Sequence, residues 1–149
     1  LKTGFSVFRL PAPRHTNHKH KEHTMTATLP YAEMLEQMTD SIVYADCEGI
    51  IRFWNRASEA MFGFSAGEAL GQSLDIIIPE YLRAPHWRGF YAAIESGATK
   101  HGGKATRTKA LHKDGSFIYA EVSFCVIIGD DGKVCGSLAS SRPAPPKQA

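Results

Sequence analysis

No stretch of this 149-residue chain approaches the ~20 consecutive apolar residues that cross a bilayer. Its longest apolar runs, Leu74–Pro79 and Val122–Ile128, are only strand-sized. Cysteine is scarce: Cys47, Cys125 and Cys135 have no metal-ligand spacing, and any disulfide scheme leaves one over. Reduced thiols and a cytoplasmic location are therefore expected, with Cys125, inside an apolar run, as a small core residue. Catalytic signatures are missing as well. The chain has no Gly-x-Ser-x-Gly, no phosphate loop and no His-Glu-x-x-His, so it is not expected to be an enzyme. Charge is modest, at 21% charged residues and a formal net charge of +2, which gives little pull towards nucleic acid or an anionic membrane. The cations from Lys100 to Lys113 fall where strand alternation sends them to a solvated face.

What remains is globular: 43% apolar residues, enough for one domain with a core. Residues 1–24 hold four of the seven histidines (His15, His18, His20, His23), side chains able to ligate metals. With no apolar periodicity around them, the segment reads as a disordered leader, and Met25 is a natural start. Residues 25–39 form an amphipathic cap, with Tyr31, Met34, Leu35 and Met38 on one helical face. Residues 40–142 carry the fold, and the proline-rich residues 143–149 read as a disordered tail.

Within the fold, Ser41–Asp46 and Ile50–Asn55 are strand-like runs joined by an Asp-x-x-Gly turn. Arg56–Phe62 and Ala66–Leu70 read as short helices, the first with Ala57, Ala60 and Met61 inward and the second opened by a Ser65/Glu68 capping box. Glu80–Ser96 is one long helix ended by Gly97. Lys104–His112, Phe117–Ile128 and Val134–Ser140 are strands separated by tight turns. The expected class is α+β: a five-stranded antiparallel sheet with helices packed on one face, leaving a pocket under the long helix.

The order and its punctuation resemble a PAS domain of the S-box type. The matching pieces are Asp46-Cys-Glu-Gly49 with Asn55, Ala60-x-Phe62-Gly-Phe64, Glu68-x-x-Gly71, Pro79, Lys113-Asp-Gly115-Ser and Gly132-x-Val134-x-Gly136. Such domains sense small ligands, light or redox state, or serve as dimerisation modules. The stretch Leu82-Arg-Ala-Pro-His86 further resembles the helix of haem-binding PAS oxygen sensors, in which a histidine ligates the iron. The resemblance implies haem b as the candidate cofactor, otherwise an unidentified small ligand. His86 would be the metal ligand, and Trp87, Phe90, Tyr91, Ile94, Val122, Phe124 and Leu138 the apolar cage. Where those sensors place a distal arginine or methionine, this chain has Lys104 and Thr106, with Arg107 and His101 as neighbours able to reach inward. The resemblance also implies a homodimer through the sheet's outer face and the helix Tyr31–Met38. Because Ser141-Arg-Pro-Ala-Pro-Pro146 replaces the usual link to an output helix, a signalling partner in trans is expected. The competing expectation is a ligand-free interaction module.

Overall fold

The computed structural model describes residues 29–146; the expected leader, residues 25–28 of the cap and the last three residues lie outside the described residues. Ten elements follow one another. They are α1 (Tyr31–Glu36), β1 (Ser41–Asp46), β2 (Ile51–Trp54), α2 (Arg56–Phe62), α3 (Ala66–Ala69), a 3-10 turn (Leu74–Ile77), α4 (Glu80–Ser96), β3 (Thr106–Leu111), β4 (Phe117–Ile128) and β5 (Val134–Pro143). The strands form one antiparallel sheet in the order β2-β1-β5-β4-β3. The central β1–β5 pairing unites the first strands with the last, and the helical segment between them crosses one face.

Local chemistry explains most element ends. In the β1–β2 turn the Asp46 carboxylate accepts hydrogen bonds from the Glu48 and Ile50 amides, at 3.1 and 2.9 Å. Gly49 closes the turn at φ +79°, a conformation that costs side-chain-bearing residues free energy. Asn55 caps α2 by accepting from the Ser58 amide, and Gly63 ends that helix in the left-handed conformation. Ser65 and Glu68 form the full capping box on α3. Glu68 also pairs with Lys113; this bond, with those from Ser65, pulls its carboxyl down to about 2 and ties α3 to the β3–β4 turn.

Alternation along the strands fixes which residues face the helices. Val43 and Ala45 of β1, Ala120, Val122 and Phe124 of β4, and Ser137, Ala139 and Ser141 of β5 all point to the covered face. The core against that face includes Trp54, Met61, Phe62, Leu74 and Phe90, with the Trp54 and Phe62 rings 5.3 Å apart. Burying each such large side chain contributes about 1.5–3 kcal/mol.

Three local expectations change. Cys125 is exposed, because Phe124 takes the covered face and its neighbour must take the other. In α2 the buried positions are Ser58, Met61 and Phe62, while Ala60 is exposed: the helix is rotated so that Ser58 meets Asn55. Leu74–Ile77 is a 3-10 turn, opened by Ser73 accepting from the Asp75 amide at 3.2 Å. At the other end β5 runs on to Pro143, and the Ala144 amide still donates to the Tyr119 carbonyl at 2.8 Å. A proline that terminates a strand removes no needed donor.

Candidate functional site

Between the covered face of the sheet and α4 lies a cavity of about 520 Å³. From α4 it is lined by Leu82, Pro85, His86, Gly89 and Phe90, at the three- and four-residue spacings that share one helix face. From the sheet it is lined by the inward residues already named, together with Thr106, Thr108 and Ala110 of β3. Lys100 and His101, in the connection after α4, stand at its rim, and both are exposed. No aspartate or glutamate lines the cavity among the described residues. Its polarity is thus imidazole, hydroxyl and ammonium on otherwise apolar walls.

His86 is the chemically distinctive group. Its Nδ1 is buried and has no hydrogen-bond partner among the described residues. Burial pushes its pKa below the ordinary 6.5, and the Asp75 carboxylate pulls only weakly the other way. The imidazole is therefore neutral near pH 7 and keeps a ring lone pair for a ligand. Phe90, itself buried, lies nearly parallel to it at 6.1 Å, and Trp87 meets it edge-on at 5.0 Å.

Of the eight residues expected at the site, His86, Phe90, Val122 and Phe124 line the cavity. Trp87 does not line it. One position along a helix is a turn of about 100°, so its side chain leaves the cavity face. Its indole N–H donates to Asp75 at 2.9 Å, and its ring rests against the backbone of Gly49, where any Cβ would overlap it. Tyr91 is exposed and stacks on Trp87 at 5.5 Å, and Ile94 packs against the core. Leu138 lies on the opposite face, paired with Tyr44 and Cys125, because Ser137 and Ala139 take the inward positions of β5. Thr106 and His101 line the cavity, whereas Lys104 and Arg107 do not. Ser137, Ser141 and Thr108 went unnoticed in the sequence. Alternation would have found them, given the β4–β5 and β3–β4 registers.

The buried imidazole predicts a pH dependence. A histidine with a depressed folded pKa lets the unfolded chain bind more protons, so its contribution is complete above 6.5 and is lost as pH falls from 6.5 through the folded value. Urea midpoints measured between pH 8 and pH 5 should therefore fall more steeply for the native chain than for His86→Leu. Parallel curves would mean that His86 is not held neutral by the fold.

Four similarities bear on this site. A family model described as PAS fold matches residues 30–143. Sensor protein FixL of Bradyrhizobium diazoefficiens is 38% identical over 53 residues, covering 36% of this chain and 10% of that protein. Oxygen sensor protein DosP of Escherichia coli is 28% identical over 100 residues, covering 67% of this chain and 12% of that one. The solved PAS domain of a protein from Colwellia psychrerythraea superposes with a TM-score of 0.67 at 26% identity, covering 76% of this chain and 93% of that domain. The chain spans about a tenth of the length of these curated relatives.

Proposed function

We propose that this chain, which belongs to the PAS fold family, is a sensory module whose cavity takes haem b with His86 as the axial ligand. The observation that carries the reading is the neutral His86 imidazole, set in the cavity wall with a buried nitrogen lacking a partner among the described residues. Among the described residues no group of three or more His, Cys, Asp or Glu side chains could hold a bare metal ion. A single imidazole suits a metal that brings its other ligands with it, as a macrocycle does. The cavity volume of about 520 Å³ falls within the range of ~300–1,000 Å³ usual for small-molecule sites. Phe90, Val122 and Phe124 offer it apolar walls, and at the rim Lys100 supplies a cation and His101 a ring nitrogen for acidic substituents. Bound haem would supply an iron position open to a diatomic gas or to an electron. The names of two relatives, a sensor protein and an oxygen sensor protein, support sensing as the purpose.

Output would pass to a second copy or to a partner in trans. On α1, Tyr31 and Met34 are exposed, as is Met38 just beyond it. On the outer sheet face Phe53, Tyr44, Leu138 and Cys125 stand in one register row across β2, β1, β5 and β4. Those surfaces also favour the second reading, an interaction module without a ligand.

Reconstitution with haemin separates the two. The native chain should develop a Soret band at one equivalent. His86→Ala should lose most of it while keeping native far-ultraviolet circular dichroism. A native chain that stays colourless, or an undiminished band in folded His86→Ala, would remove haem and leave the interaction module.

A further inference from the structure

The β1–β5 ladder ends with the pairs Ala45–Ser137 and Asp46–Gly136, and Cys47, entering the turn, and Cys135 are the next residues beyond that last pair. A disulfide spans Cα atoms ~4.4–6.8 Å apart, so residues that flank an adjoining ladder pair are candidates for one. The two thiols share a neighbourhood: Cys47 Sγ donates to the Val134 carbonyl at 3.4 Å, and Cys135 Sγ to the Lys133 carbonyl at 3.6 Å. The Tyr44 hydroxyl donates to the Cys135 carbonyl at 2.9 Å. Cys135 is also free of the β4 ladder. Ile127 pairs with Gly136 and Ile128 with Val134, so Cys135 is the extra residue of a bulge, a position that re-aims its side chain. Cys135 is exposed and Cys47 half-buried. Burial and the nearby acidic groups, Cys135 among them, push the Cys47 thiol up. Cys125 stands apart on β4, opposite Leu138.

We infer that Cys47 and Cys135 form a dithiol site that closes to an intramolecular disulfide by exchange with a low-molecular-weight disulfide. The Cys135 thiolate attacks one sulfur of that disulfide, breaking its S–S bond, forming a mixed disulfide and releasing one small thiol. The Cys47 thiolate then attacks Cys135 Sγ, forming the internal S–S bond and expelling the second small thiol. Two protein thiols are oxidised and one small disulfide is reduced to two thiols, which take up the two protons. Closure would clamp β5 to the turn holding Gly49, the seat of Trp87, and so act on the helix that carries His86.

Oxidised glutathione added to the full chain tests this. Free thiols should fall from three to one, and non-reducing peptide mapping should join the Cys47 and Cys135 peptides within one chain. Cys125→Ser should react like the native chain, with no thiol left. Cys47→Ser should stop at a stable mixed disulfide on Cys135, read as one added glutathione mass. Three thiols persisting, a bridge that includes Cys125, or bridges only between chains would overturn the assignment.

Discussion

Asn55→Ala is expected to destabilise the domain by about 3–5 kcal/mol, read from urea or thermal unfolding. Asn55 is fully buried, and its side chain is saturated on both ends. Its Oδ1 accepts from the Ile42 amide at 2.9 Å, the Ser58 amide at 3.0 Å and the Ser58 hydroxyl at 2.8 Å. Its Nδ2 donates to the Leu35 and Asp40 carbonyls, each at 3.1 Å, with the Met38 carbonyl at 3.5 Å. One side chain thus joins the approach from α1, the start of β1 and the cap of α2. Alanine would leave several buried groups unpaired at about 1–3 kcal/mol each. The whole fold is worth only ~5–15 kcal/mol, so the loss is a large share. Asn55→Asp refines the test. At pH 7 it places a carboxylate against carbonyl oxygens, and it should regain part of its stability as acid restores a donor. Loss of under about 1 kcal/mol for Asn55→Ala would mean that water replaces the amide without penalty.

Gly136→Ala is expected to cost about 3–5 kcal/mol, through overpacking joined to backbone strain. Gly136 sits in β5 at φ +154°, opposite Asp46 in the sheet's central pairing. A Cβ there would overlap the Ala45 carbonyl oxygen and stand only 3.0 Å from Asp46 Cα and the Tyr44 ring. The first two obstacles are backbone, so relief requires β1 and β5 to move apart. That pairing holds the two halves of the chain together, and parting it would also open the cavity wall at Val43, Ala45 and Ser137. Both the unfolding midpoint and ligand uptake should fall. Gly132→Ala makes the comparison, since that turn glycine also has positive φ but meets nothing within 4 Å. Equal losses at the two sites would show that backbone conformation alone sets the effect.

The two substitutions probe different kinds of information. Asn55 announces itself in the sequence as a short polar residue where strand passes into helix, and the Ser65/Glu68 capping box is equally local. So are the Asp46–Gly49 turn and the helix Glu80–Ser96 between Pro79 and Gly97. Such features rest on residues within a few positions of one another, whose bonding possibilities neighbouring side chains already limit.

Phase and register were decided elsewhere. The sequence set His86, Trp87, Phe90, Tyr91 and Ile94 along one helix but not which of them meet the sheet. The docking of α4 gave the cavity to His86 and Phe90 and sent Trp87 to the Gly49 turn. Leu138 fell on the far face because pairing with β1 and β4 set the phase of β5. One residue of slip would have exchanged the two faces. The row of Phe53, Tyr44, Leu138 and Cys125, and the approach of Cys47 to Cys135, exist only once strands distant in sequence are laid side by side. The amino-acid order settled most of the elements, their caps and turns, and the α+β class, because those energies are local. Only the tertiary structure chose the residues that share the cavity, because long-range pairing and packing set which way each side chain points.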